Sequence, residues 1–337
     1  MNTDMEYALG ELIKKLSKCQ KNRFDVISDE WSAVTRGRYL MIRIGDHGNY
    51  GLTEHAHEQA SQILDIPKRY YDKLRTANPD LLRNNINELI DKRCMFRIVD
   101  DKIIAVLSDQ YRILNNYDVL MCALDTVKKT HHHGVVVSSC ELSDTKIYIK
   151  MLQPGNAFDI VDNEEITPGI VLQNSEVGAG AFSADMYLIR NNCGNGMIGE
   201  RSMHRTHRGR KIEPGIIRST GMNETMWQWA ADLIDKAFDP KPLNKWIAMI
   251  RNNIEVITEK PIETIDTVSS DYRLTEQQKT SALNYFLQYG DRTKWSLANA
   301  VSMTGMNCED PDNAIMLERI AGKIAANPHT RIQTPLT

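Results

Sequence analysis

The sequence predicts an α+β fold in which central antiparallel β-hairpins with helices are flanked by N-terminal and C-terminal helical regions. Apolar residues recur at helical spacing near both ends of the chain, whereas in the middle they form short strand-like runs separated by turn signals. We expect a mainly helical region at residues 1–94 and a β-rich α+β core with a basic loop at residues 95–215. A helical region is expected at residues 216–337.

The N-terminal region is predicted to contain several helices. Residues Tyr7 to Leu16 place apolar side chains at helical spacing. Thr53 is a good N-cap for another helix, because its hydroxyl can accept a hydrogen bond from the first turn. Pro67 and Pro79 are expected to begin two further helices, since proline is tolerated at the first helical position.

Strand signals dominate the central region. Strands Met95–Val99 and Ile103–Leu107 are expected to flank a turn at Asp100-Asp101, and a helix should then begin near Asn115 or Asn116. The other strands are expected at residues 135–140 and 146–152, with two more within residues 165–193. This region therefore predicts the sheet around which the protein folds.

Helical spacing returns after Pro214. An apolar stripe runs through Trp227, Leu233 and Ile234, and Asp239-Pro240 is expected to end that helix. Later helices are expected at residues 243–251, 275–288, 295–303 and 313–326.

Composition indicates a soluble globular protein, with 42% hydrophobic and 25% charged residues. No run approaches the roughly 20 apolar residues that a membrane helix needs, and the start does not resemble a signal peptide. We therefore expect a protein of the cytoplasm, with no membrane partner. The six cysteines form no C-x-x-C pair, so we expect reduced thiols and not a disulfide framework.

A basic block interrupts this mildly acidic chain between residues 190 and 211. It carries one acid and a local charge of +5, on a chain whose net charge is −3. Arginine forks match phosphate oxygens, and nearby histidines add donors below neutral pH, so the block predicts a nucleic-acid contact. The alternative is a solvated loop that pairs with acids elsewhere on the chain. The residues expected to contact nucleic acid are Arg190, Arg201, His204, Arg205, His207, Arg208, Arg210 and Lys211.

Motifs for catalysis, cofactors and metals are weak. Gly194, Gly196 and Gly199 spell G-x-G-x-x-G, but the expected context is not a βαβ unit, so we interpret them as a turn and expect no cofactor. The histidines at 131–133, 204 and 207 match no zinc spacing, so we expect no metal site.

Acidic candidates for chemistry exist without a recognisable motif. The sequence has no Walker A, H-E-x-x-H or G-x-S-x-G motif. Glu176 and Asp185, with Cys193, are the weak catalytic candidates. The alternative is that Asn174-Ser175 and the glycines that follow shape a bulge or a sheet crossing.

Several stretches carry a family resemblance: GLTEHAHEQASQILDIPKRYYDKL, VLSDQYRILNNYDVL, IVLQNSEVGAGAF, IRNNCGNGM and WSLANAVSMTG. Through them the sequence resembles a phage- and plasmid-like family of unknown function found on bacterial mobile elements. The resemblance implies the cytoplasm of a bacterial host cell, a setting in which many proteins of this size handle DNA. The hairpins are also loosely similar to the cores of phage single-strand annealing proteins, which assemble into rings or filaments, and we therefore expect a homo-oligomer.

These observations lead to one leading hypothesis and two alternatives. We expect a phage or plasmid protein that binds nucleic acid, with single-stranded DNA favoured, and acts in recombination, annealing or replication without bond chemistry. The first alternative is an interaction protein whose partner is a host defence or replication protein. The second is an enzyme that processes nucleotides or nucleic acid.

Overall fold

The computed structural model describes residues 3–129, 134–161, 164–205, 207, 214–217, 224–258, 260–289 and 291–326. Its described residues form two mainly antiparallel β-sheets with helices packed on them. The α+β fold class is therefore confirmed.

The first sheet has seven strands in the order β13-β1-β5-β6-β4-β3-β2. Its pairings are antiparallel except for β4 with β6, which run parallel. The strands are β1 (Arg23–Ser28), β2 (Trp31–Arg36), β3 (Tyr39–Ile44), β4 (Gly48–Leu52), β5 (Cys94–Val99), β6 (Lys102–Ser108) and β13 (Gly215–Ile217).

One face of the first sheet is covered by helices α2 (Glu54–Ile63), α3 (Lys68–Ala77) and α4 (Pro79–Leu89). Alternate strand residues such as Ile42, Phe96 and Ile98 point to these helices and form an apolar core with them. Thr53 caps α2 and Asn78 caps α4, since each side chain accepts a hydrogen bond from the first turn.

The other face of the first sheet divides into two halves. Over β1, β5 and β6 it is buried under the segment at residues 174–182 and around Tyr111, and we call this part the covered half. Over β2, β3 and β4 the outward positions are exposed or half-buried, and we call this part the open half. Among the described residues, helices α2 and α4 make substantial contacts with β2, β3 and β4, and both pack on the opposite face of the sheet.

The second sheet has the strand order β12-β11-β10-β8-β7, and β9 also pairs with β10. Every pairing in it is antiparallel. The strands are β7 (Val136–Leu142), β8 (Ile147–Leu152), β9 (Phe158–Val161), β10 (Glu164–Asn174), β11 (Phe182–Arg190) and β12 (Gly196–Arg205).

Helices cover both faces of the second sheet. Helices α1 (Thr3–Lys21), α5 (Asn116–Lys129) and α6 (Glu224–Ala237) pack on one face. The other face packs on the C-terminal helices, where α11 approaches β12 so closely that a Cβ at Gly322 would lie 2.0 Å from the Ile198 carbonyl oxygen. The C-terminal helices are α7 (Pro240–Arg251), α8 (Pro261–Tyr272), α9 (Glu276–Tyr289), α10 (Lys294–Met306) and α11 (Pro311–Ala326).

Most predicted elements are confirmed, and two differences stand out. Residues 1–94 contain four strands that the sequence analysis did not identify, and α8 was also missed. The expected basic loop is wrong between Gly196 and Arg205, because this stretch pairs with β11 as strand β12. The expected boundaries at 94/95 and 215/216 fall at the start of β5 and within β13, two strands that both pair with β1.

Candidate functional site

A cleft of about 850 Å³ opens beside β1, a volume within the range of small-ligand pockets. It lies between the C-terminal end of α1, the turn that joins β3 to β4, the start of α5 and β13. The residues that line it are Ser17, Gln20, Lys21, Asn22, Arg23, Phe24, His47, Tyr50, Tyr117 and Ile216.

Three aromatic rings contribute to this cleft. Phe24 and Tyr50 meet edge to face, with ring centroids 6.1 Å apart, and Tyr117 lies half-buried in the first turn of α5. The Tyr50 hydroxyl donates to the His47 carbonyl oxygen at 2.7 Å. Burial raises the pKa of Tyr50, and the nearby charge of Asp101 raises it further. Tyr50 therefore stays neutral at physiological pH.

Lys21 supplies positive charge at the edge of the same cleft, where it is exposed beside His47. Arg23 also lines the cleft, but its guanidinium is buried. Acids also lie close by, because Asn22 donates to the Asp100 carboxylate at 2.6 Å and Gln20 donates to Asp118 at 3.3 Å. The cleft thus combines ring surfaces with the exposed cation of Lys21, which is a chemistry suited to bases and phosphates.

Arg23 connects the cleft to a buried charge network in the covered half. Its Nη2 donates to Glu176 Oε1 at 2.6 Å, and its Nη1 donates to Asn115 Oδ1 at 2.8 Å. The second Glu176 oxygen accepts the backbone N–H of Asn116 at 2.9 Å. This carboxylate therefore joins β1, through Arg23, to the start of α5, through Asn116.

Asp25 and Arg97 form the centre of the network. They are direct cross-strand partners on β1 and β5, and both side chains are fully buried. Arg97 donates Nε and Nη2 to the two Asp25 oxygens at 2.9 and 3.1 Å, and its Nη1 donates to the Glu176 carbonyl oxygen at 2.7 Å. This fork geometry compensates the desolvation of two charges.

The segment at residues 174–182 is shaped to close over this network. Tyr111 donates its hydroxyl to the Ser175 carbonyl oxygen at 2.8 Å, and Gln59 donates to the Val177 carbonyl oxygen at 2.7 Å. Gly178 has a φ of +81°, and a Cβ there would lie 2.5 Å from Leu107 Cδ2. Glycine is needed here because the turn is left-handed and tightly packed.

Burial and pairing shift the pKa values in the covered half. Burial lowers the pKa of Arg23, although the charge of Glu176 opposes this shift. Burial alone would also lower the pKa of Arg97, but the charge and hydrogen bonds of Asp25 outweigh it and raise that pKa. Both guanidiniums stay charged at neutral pH because their ordinary pKa lies far above it.

The structure places Arg190 inside the protein. It is 8% exposed, and its guanidinium donates to Glu164 Oε1 at 2.8 Å and to the Tyr289 hydroxyl at 3.4 Å. Glu164 also accepts the indole N–H of Trp295 at 2.7 Å. A phosphate at Arg190 would have to displace these contacts, which join β11 to α9 and α10.

His207 is likewise engaged within the fold. Its ring stacks on Tyr111 at 5.1 Å, and its Nδ1 lies 3.1 Å from the Arg112 carbonyl oxygen. Burial lowers the pKa of His207, so the added positive charge expected below neutral pH needs stronger acid than for an exposed histidine. The remaining six predicted contacts lie on β12 or after it.

Those six residues fall into two groups. The backbones of Arg201, His204 and Arg205 belong to β12, and their side chains lie outside the described residues, as do Arg208, Arg210 and Lys211 entirely. The flanking residues are placed: the Arg112 N–H donates to the His207 carbonyl oxygen at 2.8 Å, and Gly215 pairs with Ile27 of β1. Both flanks therefore lie against the first sheet.

The three catalytic candidates are not brought together. Glu176 is buried in the network described above, and Asp185 is paired with Arg319 of α11, under the other sheet. Cys193 is exposed in the turn between β11 and β12. In these described contacts the three side chains share no partner. The alternative role for Asn174-Ser175, shaping the chain, fits the buried hydrogen bonds that both side chains make.

Sequence reasoning missed the central charges, Arg23, Asp25 and Arg97. A signal was present, because RFDVIS places charged residues at alternate positions of a strand-like run. Their pairing across β1 and β5 depends on sheet register, which no local pattern gives.

Two further searches cover only the described residues. Among them, no group of three or more histidine, cysteine or acidic side chains could hold a metal ion. No helix in the same residues combines the length and apolar character that a membrane span requires.

Comparison with known proteins gives one match. Residues 103–306, more than half of the chain, match the model of a family described as a domain of unknown function, DUF932. No curated protein and no solved structure matches the chain. The matched residues include Asn115 and Glu176, whereas strands β1 to β5 precede them.

Proposed function

The chain belongs to the DUF932 family, and we propose that it binds nucleic acid, with single-stranded DNA favoured over duplex. The proposed role is recombination, annealing or replication of a phage or plasmid, without bond chemistry. One observation carries this proposal: the cleft beside β1 combines aromatic rings with the exposed cation of Lys21 and is lined by β13, the strand that follows the basic block.

Each part of this lining has a role in binding a single strand. Unpaired bases stack on aromatic side chains such as Tyr117, and stacking tolerates any base sequence. Lys21 at the edge attracts phosphates, and the basic block adds charge after β12. A paired duplex hides its base faces, so the rings favour single strands.

The test is fluorescence anisotropy of labelled single-stranded and double-stranded oligonucleotides, titrated at low and moderate salt. We expect tighter binding of the single strand and an affinity that falls with salt. Replacing Arg208, Arg210 and Lys211 with glutamine removes three cations, so the slope of log affinity against log salt should flatten by about 2.

A matched control removes the same charge elsewhere. Lys236, Lys241 and Lys245 are exposed on α6 and α7, and their triple glutamine variant should bind as the unchanged protein does. Equal losses of affinity in both triple variants would mean that overall charge, and not the basic block, determines binding. An unchanged protein that binds no oligonucleotide at low salt would refute the proposal. A pull-down from nuclease-treated host lysate would then examine the protein-partner alternative.

A further inference from the structure

The open half of the first sheet presents arginines and a tyrosine to solvent on a face that the described helices leave uncovered. We propose that this face is a second binding surface for single-stranded nucleic acid, separate from the cleft and the basic block. Its residues are Ser32, Val34 and Arg36 on β2, Arg38 in the turn, Tyr39, Met41 and Arg43 on β3, and Asn49 and Gly51 on β4.

Strand register places these side chains on one surface. Arg36 pairs with Tyr39 across the hairpin, and Val34 pairs with Met41. Arg43 pairs with Asn49 on the next strand. Because side chains alternate along a strand, the intervening residues point to α2 and α4. A Cβ at Gly51 would meet no atom within 4 Å, so the face is open there.

The charge of this surface favours a polyanion. Strands β2, β3 and β4 contain no aspartate or glutamate, while the hairpin carries Arg36, Arg38 and Arg43. Among the described residues none of these three arginines forms a salt bridge, and Arg43 only donates its Nε to Asn49 at 3.1 Å. Their guanidiniums are therefore available to phosphates.

Tyr39 gives the surface its preference for single strands. It is 78% exposed, an unusual position for a large ring that could bury apolar area. It lies beside Arg36 and four residues before Arg43, which is about 13 Å along an extended strand. One ring for stacking and three cations for the backbone form the combination found on sequence-tolerant single-strand surfaces.

The residues of this surface lie outside the part of the chain that the family model matches. The DUF932 match begins at residue 103, after β2, β3 and β4. The inference rests on the proposed function only for the class of ligand. The residues that carry it are different, so the two assignments can fail separately.

The experiment measures anisotropy of a fluorescein-labelled oligothymidylate of about 20 nucleotides, longer than the ~4–16 that one OB-type surface covers. For the full chain, Tyr39→Ala should weaken binding by about 5- to 150-fold, the effect of losing one base stack. Tyr39→Phe keeps the ring and should bind normally. Replacing Arg36, Arg38 and Arg43 with glutamine should flatten the salt slope by about 2.

The controls separate this surface from the basic block. The Lys236, Lys241 and Lys245 triple variant has the same charge change and should bind normally. If only the basic-block variant loses affinity, the proposed function stands and the second surface is refuted. If only the hairpin variants lose affinity, the second surface stands and the basic block is not the contact. If the unchanged protein binds no oligonucleotide, both fall.

A second measurement uses no variant, so it does not depend on whether a substituted protein folds. Ultraviolet cross-linking of the unchanged protein to the same oligonucleotide, followed by peptide mass spectrometry, should give adducts on the peptide that contains Tyr39. Adducts confined to other peptides would overturn the assignment.

Discussion

The covered and open halves of one sheet face use the same side chain for opposite purposes. In the covered half, Arg97 is fully buried and bonded to Asp25 through two donors. In the open half, Arg36 and Arg43 lie in solvent with no salt bridge among the described residues. The difference comes from what lies above each half, and not from the strands themselves.

This contrast explains why only the covered half needs matched charges. A buried charge without a partner has lost its hydration and has no ion pair to compensate for that loss, whereas an exposed charge remains hydrated. Arg97 therefore needs Asp25 and the Glu176 carbonyl oxygen as partners, because residues 174–182 cover this part of the sheet. The exposed arginines of the open half keep their hydration and need no acidic partner within the fold, so they are available to a ligand.

The largest expected effect follows from removing Arg97. Arg97→Met leaves Asp25 buried without its partner, so the free energy of unfolding should fall by about 3–5 kcal/mol. Urea denaturation followed by circular dichroism measures this loss. It is a large fraction of the roughly 5–15 kcal/mol that holds a typical domain folded.

The double variant Asp25→Leu/Arg97→Met is the matched control. It removes both charges and leaves apolar groups of similar volume, so it should be more stable than Arg97→Met alone. If the double variant were the less stable of the two, the stranded charge would not be the cause of the loss.

The second largest effect concerns the loss of stability in acid, which we expect from a histidine buried where helices cover the first sheet. His57 of α2 is 7% exposed and lies 2.9 Å from the Tyr71 hydroxyl through its Nδ1. Burial lowers its pKa, and with a smaller contribution from the charge of Arg75 the value falls to about 4. The unfolded chain therefore binds more protons than the folded protein between pH 6.5 and about 4.

Stability should consequently fall as the pH drops through that window. The contribution of His57 is fully present above pH 6.5 and decreases by about 3 kcal/mol by pH 4. Urea denaturation at pH 7, 5.5 and 4.5 measures the decline, and His57→Gln should flatten it. An equally steep decline in His57→Gln would assign the acid sensitivity to other groups.

A smaller loss of stability is expected when Glu176 is replaced, because Glu176 belongs to the buried network of Arg23 and Arg97. Glu176→Gln keeps the shape of the side chain but leaves Arg23 without its charged partner, so we expect a loss of about 2–3 kcal/mol. Glu263→Gln is the control, because its ion pair with Lys260 is exposed and should be worth less than about 1 kcal/mol. Equal losses in urea denaturation would contradict a special role for the buried pair.

Local patterns predicted elements well where the signal is local. The Asp100-Asp101 turn has both residues at positive φ, 48° and 62°, as a tight hairpin turn requires, and the flanking strands were predicted to within a residue. Strands β1 to β4 were missed because each run has only five or six residues, too few for a firm strand pattern. Strand β12 was interpreted as a loop because its basic residues and glycines were taken as loop signals, whereas its pairing with β11 is not visible in a local pattern.

The candidate site was less predictable because it is assembled from distant segments. Arg23 meets Glu176 across 153 positions in sequence, and Arg97 meets Asp25 across 72. Nothing in either segment specifies the other: the register of β1 with β5 brings Asp25 to Arg97, and the position of residues 174–182 over the sheet brings Glu176 to Arg23. Tyr39 carried a local signal, an aromatic residue beside arginines in TRGRY, but its exposure depends on which face the helices cover.

The smallest expected effect on stability is the sharpest test of the contrast. Arg36→Gln/Arg43→Gln removes two charges from the open half, and urea denaturation should place the free energy of unfolding within about 0.5 kcal/mol of the unchanged protein. An arginine retained for folding would cost stability when replaced, as Arg97 does, whereas one retained for a ligand would cost only affinity. A loss above about 1 kcal/mol would mean that these side chains support the sheet, and the open half would then be a structural surface.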